Sequence, residues 1–165
     1  MFRYIKSIKE RDPAARNFIQ ILLLYPGVHA MFYYRIARLF WLIKLKLIAE
    51  IITYISKFFT RIEIHPGARI GKRLFIDHGF GVVIGETTII GNDCTLYQNV
   101  TLGGSGKEHC KRHPTLGNNV MVGAGALILG NITIGDNVKI GAGTIVLDNI
   151  ESNKTVVGAK GKVIN

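Results

Sequence analysis

From Ile64 to Val146 an aliphatic residue returns every six positions, a beat that few folds can accommodate. The series runs Ile64, Ile70, Ile76, then Ile84, Ile90, Leu96, Leu102, then Leu116, Val122, Ile128, Ile134, Ile140 and Val146, and every member is Ile, Leu or Val. Glycine often follows, as in Ile70-Gly71, Ile90-Gly91, Leu116-Gly117 and Ile140-Gly141. A period of six matches neither the period of about 3.6 of an amphipathic helix nor the alternation of a half-buried strand, so another geometry must bury these side chains.

A parallel β-helix does so. Each six-residue unit becomes a short strand plus a corner, three units close one triangular coil of about eighteen residues, and equivalent aliphatics stack in ladders. Four residues after the ladder positions stand Ala68, Leu74, Thr88, Cys94, Val100, Val120, Ala126, Ile132, Val138, Thr144 and Ile150, which are expected to share the interior. Tight corners favour glycine or asparagine, which reach left-handed φ at low cost. Asn92, Asn118, Asn119 and Asn137 fall at such corners.

The beat breaks twice. From Ile76 to Ile84 the step is eight residues, which inserts two around Asp77-His78-Gly79-Phe80-Gly81. A bulge of this kind re-aims side chains outward. From Leu102 to Leu116 the step is fourteen, and the segment from Gly103 to Pro114 reads as a protruding loop. Loops on a rigid scaffold are favoured places for binding and catalysis, and these two breaks hold Asp77, His78, Arg112 and His113. A lone histidine is more often a satisfied surface residue; two histidines at two breaks of register point to a site.

The 165 residues suit one repeat domain with an appendage, an α+β chain in which a basic helical segment, residues 1–62, precedes a β-helix domain, residues 63–165, with a loop at 103–115. The net charge of +10 is uneven: residues 1–62 carry eleven Lys/Arg against three Asp/Glu, the remainder ten against eight. Helix formers and aromatics recur from Asn17 to Leu24 and from Val28 to Thr60, with Pro26-Gly27 as the expected break. Asp12-Pro13 reads as a helix start with Asp12 as cap. The stretch from Met31 to Phe59 is apolar, yet Arg35, Arg38, Lys44, Lys46, Glu50 and Lys57 interrupt it, which argues against a membrane span. The expectation is a helix packed on a partner or on the end of the coil; the alternative is a basic helix lying on an anionic membrane. Charges throughout the first sixteen residues and the absence of a small-residue cleavage site after the first apolar run argue against a secretory signal. Cys94 at an interior position and Cys110 in the loop form no disulfide framework and suit a reducing cytoplasm. No nucleic-acid partner is expected.

Several segments resemble the serine O-acetyltransferase family, which builds its active domain as a left-handed β-helix. They are Glu63-Ile64-His65-Pro66-Gly67-Ala68, Ile76-Asp77-His78-Gly79, Val83-Ile84-Gly85-Glu86-Thr87, Val100-Thr101-Leu102-Gly103-Gly104-Ser105-Gly106-Lys107 and Arg112-His113-Pro114. In the helical segment Arg11-Asp12-Pro13-Ala14, Tyr25-Pro26-Gly27-Val28-His29-Ala30 and Tyr34-Arg35-Ile36 are similar too. The resemblance implies acetyl transfer from acetyl-CoA, as co-substrate, to the hydroxyl of L-serine, giving O-acetylserine for cysteine biosynthesis, without a metal. His78 matches the family's catalytic base and Glu63 the carboxylate that orients it, a position that is often aspartate. Asp12, Asp77, Arg112 and His113 match residues that hold the amino acid, and Gly103, Gly104, Ser105, Ala124 and Ala142 residues along the coenzyme groove. Lys160 and Lys162 are expected at the coenzyme phosphates, although Gly158-Ala159-Lys160-Gly161-Lys162 departs from the family's usual proline-bearing end. The resemblance further implies a homotrimer rather than a hexamer, because only eleven residues precede Asp12, and feedback inhibition by L-cysteine. A chain stopping at Asn165 without the family's isoleucine-ending tail is expected to form no tight complex with O-acetylserine sulfhydrylase.

The chemistry of the residues is consistent with these roles. A serine hydroxyl is a poor nucleophile until a base that ionises near neutrality takes its proton, and a carboxylate beside an imidazole fixes its tautomer and stabilises the imidazolium. A zwitterionic substrate needs both signs of charge, and the oxyanion formed on the thioester needs a donor such as a backbone N–H of Gly103-Gly104. Three other readings remain open on sequence: an acetyltransferase of the same fold acting on a sugar or another hydroxyl, a zinc carbonic anhydrase using His78, His109 and His113, and a non-catalytic scaffold.

Overall fold

The structure, a computed structural model, describes residues 2–106 and 110–164. Among these residues four helices, α1 (Phe2–Arg11), α2 (Phe18–Leu24), α3 (Pro26–Leu42) and α4 (Lys46–Thr60), precede fourteen short strands that wind into a three-sided parallel coil. The first face stacks β1 (Glu63–Ile64), β4 (Val83–Ile84), β7 (Thr101–Gly103), β10 (Leu127–Leu129) and β13 (Ile145–Val146). The second face stacks β2 (Arg69–Ile70), β5 (Ile89–Ile90), β8 (Thr115–Leu116) and β11 (Thr133–Ile134). The third stacks β3 (Phe75–Ile76), β6 (Thr95–Leu96), β9 (Met121–Val122), β12 (Lys139–Ile140) and β14 (Thr155–Val156).

Strand register follows the ladders. Ile64 lies under Ile84, Ile84 under Leu102, Leu102 under Ile128, and Ile128 under Val146. Nearly every ladder position is buried, as are the small or aliphatic residues two places before it, from Ile62 and Ala68 to Val138 and Thr144. One position differs from expectation. Ile150 pairs with Ile134 and so takes a ladder place itself, because the turn after Val146 is two residues shorter than the others. The edge between the second and third faces is polar: Asn92 N–H donates to Asn118 Oδ1 at 2.9 Å and Asn118 N–H to Asp136 Oδ1 at 2.5 Å, while Asn119, Asn137 and Asn153 all hold left-handed φ. Cys94 is buried, its thiol pushed up to about 11 chiefly by that burial, and Cys110 is exposed.

The helical arm departs from the sequence reading in two places. Asp12 caps no helix start; it follows the last residue of α1 and closes a turn, its Oδ1 accepting from Ala14 N–H at 2.8 Å. The helical run through Thr60 begins at Pro26, which occupies the first turn of α3, and it breaks at Ile43-Lys44-Leu45, where Lys44 takes φ 66°. The expected break between the helices is present but falls at Tyr25, between α2 and α3; proline at a first turn loses no hydrogen bond, so Pro26 already belongs to α3. Asn17 does cap α2, accepting from Gln20 N–H at 2.9 Å. Helix α4 packs on α3 and β1 through a small face, Ala49, Ser56 and Thr60, and turns Leu47, Ile51, Tyr54 and Phe58 outward. No helix among the described residues is long and apolar enough to cross a membrane.

Candidate active site

The two-residue insertion forms the turn between the third and first faces. His78, Gly79 and Gly81 all adopt φ near the left-handed region, at 58°, 74° and 74°. Gly79 N–H donates to Asp77 O at 2.6 Å and Phe80 N–H to His78 O at 3.0 Å. A left-handed φ is costly for a residue with a side chain and is retained where the surroundings demand it. The Cβ that Gly79 lacks would overlap Ile62, the residue before β1, so the turn is pressed onto the strand that carries Glu63.

Asp77 and His78 line a cleft of about 240 Å³ together with Asp12, Ala14, Leu24, Tyr25 and Pro26. Asp12 reaches it because Arg11 anchors the end of α1 to the coil, donating to Arg73 O at 2.7 Å and Cys94 O at 3.0 Å. Burial holds the Asp77 carboxyl above the ordinary carboxylate range; His78 opposes this rise and the Asp12 charge adds to it. Glu63 lies on the outer side of β1, and its carboxylate pairs with the Lys57 ammonium from α4. Among the described residues no hydrogen bond joins Glu63 to His78.

Above His78 the same edge continues as one column. Hydrogen bonds of Gly125 N–H to Gln98 O at 2.9 Å and of Gly143 N–H to Ala124 O at 2.8 Å set Gln98, Ala124 and Ala142 over one another. By register Gly158 follows Ala142, which places Lys160 and Lys162 in the exposed segment beyond the top of that column. Small side chains at Ala124, Ala142 and Gly158 leave the backbone approachable along this line.

Arg112 and His113 occupy a different edge, between the first and second faces. His113 is buried, its ring laid over Gly85, and its Nδ1 accepts from Thr87 N–H at 3.2 Å and meets Thr87 Oγ1 at 2.8 Å. Backbone N–H groups of Arg112 and His113 both donate to Thr87 Oγ1, at 3.1 and 3.2 Å. Thr87 is therefore the hub that sequence reasoning left out of the site. Burial, then the Arg112 and Lys111 charges, hold the His113 imidazole below the ordinary histidine range. Gly103 ends β7 on this edge, Gly104 packs against Arg112, and Ser105 Oγ approaches Gly130. The candidate residues thus sort into two sets: Asp12, Asp77, His78, Ala124 and Ala142 on one edge, and Gly103, Gly104, Ser105, Arg112 and His113 on another. His109 lies outside the described residues.

Known proteins share this sequence pattern and this fold. Residues 113–148 match the family described as bacterial transferase hexapeptide (six repeats). A serine acetyltransferase of Helicobacter pylori is 55% identical over 160 residues, covering 97% of this chain and 94% of that protein. The chain belongs to the serine acetyltransferase family. One from Synechococcus elongatus is 57% identical over 96% of this chain, which spans 65% of that relative's length. Among solved serine acetyltransferases, that of Neisseria gonorrhoeae in complex with serine matches at a TM-score of 0.91 and 43% identity, over 96% of this chain and 65% of its own. Isoform 3 of Entamoeba histolytica in complex with cysteine matches at 0.93 and 43%, over 98% and 58%. The Brucella abortus enzyme in complex with coenzyme A matches at 0.92 and 38%, over 98% and 64%. The three-sided coil is accordingly the left-handed β-helix of the serine acetyltransferases.

Proposed function

We propose that this protein is a serine O-acetyltransferase that moves the acetyl group of acetyl-CoA to the hydroxyl of L-serine. His78 takes the hydroxyl proton, Glu63 supports the imidazolium, and the alkoxide attacks the thioester carbonyl. A backbone N–H of Gly103-Gly104 receives the oxyanion; one such donor is worth about 3 kcal/mol. Collapse of the intermediate releases coenzyme A, whose sulfur takes the proton back from His78. Asp12 and Asp77 receive the substrate ammonium, Arg112 and His113 its carboxylate, and Ala124 and Ala142 with Ser105 border the pantetheine arm, with Lys162 near the phosphates. In this reading residues 1–62 form the helical segment and 63–165 the acyltransferase domain, and L-cysteine, which keeps the ammonium and carboxylate of serine, competes at the same cleft.

The observation that carries this reading is the line of Asp77, His78, Ala124 and Ala142 on one edge, with Asp12 delivered to the same cleft. The carboxylate-binding pair lies on the other edge of the first face, so one chain holds two half-sites, and a whole site needs the edge of a second copy. Three copies close such a ring. The first face, between the two edges, carries outward Val83, Leu127 and Ile145, whereas the opposite edge is the asparagine ladder. An exposed apolar surface marks contact, so the first face turns to the three-fold axis with the outward side chains of α4 beside it.

Mixing two inactive variants tests both function and assembly. His78→Ala and Arg112→Ala proteins, unfolded and refolded together, recover about one quarter of wild-type coenzyme A release with L-serine, the fraction of interfaces with both intact halves in random trimers. Absence of recovery refutes the shared site, and acetylation of sugars in preference to L-serine by the wild-type protein refutes the substrate.

A further inference from the structure

The cleft that receives Asp12 and Asp77 contains a third polar group without a part in the scheme above. Tyr25 is the last residue before α3, and its hydroxyl donates to Asp12 Oδ2. Since Asp12 Oδ1 already accepts from Ala14 N–H, both oxygens of this carboxylate are held. Tyr25 itself is held at three points. Its N–H donates to Ile21 O at 3.3 Å, its ring stacks on Phe75 at 6.4 Å between centroids, and Pro26 confines it to extended backbone, at φ −94° and ψ 106°.

Phe75 matters because it stands two residues before Asp77 on the strand leading into the cleft, and Arg11 lies over its ring at 5.4 Å. One side chain therefore rests on the strand that leads into Asp77 and holds the carboxylate of Asp12. The two acids approach each other from different parts of the chain, and their charges oppose. Left to itself, Asp12 on an exposed turn would swing toward water. We propose that Tyr25 is a positioning residue for substrate specificity, fixing Asp12 opposite Asp77 so that the cleft selects an acetyl acceptor bearing a primary ammonium. Its hydroxyl proton is pushed up to about 12, by burial and then by Asp12, and remains available for donation throughout the neutral range.

This inference rests on the serine acetyltransferase reading and is tested within it. Tyr25→Phe keeps the ring on Phe75 and removes only the donor. The expected result is a KM for L-serine raised about 5- to 20-fold with a smaller fall in kcat, less than the loss of a direct hydrogen bond between substrate and a charged group because Tyr25 acts through Asp12, and an unchanged KM for acetyl-CoA. The inhibition constant of L-cysteine should rise by a similar factor. Preference for L-serine over 3-hydroxypropanoate, which lacks the ammonium, should narrow. Asp12→Asn should act in the same direction, and the double variant should be little worse than the worse single one, since Tyr25 acts through the Asp12 carboxylate that Asp12→Asn already removes. An unchanged L-serine KM in Tyr25→Phe, or additive effects in the double variant, overturns the inference while leaving the enzyme's activity in place. A parallel rise in both KM values together with a lowered melting temperature also overturns it, as that is the signature of a structural role. Wild-type protein that fails to release coenzyme A with L-serine overturns the underlying reading, and the inference with it.

Discussion

Replacing Gly85 with alanine should disable the edge proposed to bind the substrate carboxylate without touching a charged residue. Gly85 follows β4, donates its N–H to Leu102 O at 3.0 Å and does not hold a left-handed φ, so the backbone itself would accept alanine. The added Cβ, however, would overlap Cδ2 and Nε2 of His113 and lie 2.8 Å from its Cγ. The ring cannot yield inward, being buried, and moving outward breaks its contacts with Thr87. Overpacking of this kind costs about 1–3 kcal/mol and each lost hydrogen bond about 1 kcal/mol, so a destabilisation of about 2–4 kcal/mol is expected. For a chain of this size that lowers the melting temperature by roughly 5–15 °C. If His113 and Arg112 hold the serine carboxylate, kcat/KM for L-serine falls about 10- to 100-fold, the range for a lost hydrogen bond to a charged group. Calorimetry and a coenzyme A release assay on Gly85→Ala measure both. A melting temperature within two or so degrees of wild type would refute the packing argument, and a lowered melting temperature with unchanged serine kinetics would refute the role given to this edge.

Two pH effects follow from the displaced ionisations. Burial and Asp12 raise the Asp77 carboxyl; if Asp77 holds the substrate ammonium, which needs its ionised form, the KM for L-serine should begin to climb on acidification at a higher pH than an ordinary carboxylate would give, and Asp77→Asn should flatten that limb; a KM independent of pH in the wild type would contradict this. His65 and His113 are both held below the ordinary histidine range, first of all by burial. The unfolded chain therefore binds more protons as pH falls through about 6.5, and stability is lost from there downward until the folded-state histidines protonate too. Urea midpoints at pH 7.5 and 5.5 should differ in that direction, and less so in the His65→Asn/His113→Asn variant; equal midpoints in the wild type would count against it.

The coil was legible in the sequence because its determinant is local and repeated: an interior place at every sixth residue admits only a narrow range of side chains. Ile150 escaped because an aliphatic residue suits both interior positions, and only the pairing with Ile134 shows which one it fills. The helical arm was less legible. Lys44 breaks the run between α3 and α4 with no glycine or proline to mark it, and Pro26 serves as a start although proline also signals a stop. Site residues that break the register stood out, since an interruption in a periodic pattern is itself a signal. Thr87, Gly85 and Tyr25 break no register, and they stood in the resembling segments without a role of their own. Each acts by where the fold stacks it, against His113 from 26 or 28 residues away in two cases and against Asp12 across a helix in the third.

The division of the site between two edges bears on why α4 presents its large side chains to the outside. A helix that buries Ala49, Ser56 and Thr60 while exposing Leu47, Ile51, Tyr54 and Phe58 has its amphipathic pattern inverted for a lone chain. The inversion makes sense if assembly is a condition of activity. Lys57 of α4 pairs with Glu63, so the helix that would gather at the three-fold axis also touches the carboxylate proposed to support His78. On the proposed shared site, separating the subunits would do two things at once: remove Arg112 and His113 from the cleft of Asp77 and His78, and expose the face on which α4 and β1 lie. Activity should accordingly fall with dilution in step with the loss of trimer, with no concentration at which dissociated chains retain serine turnover.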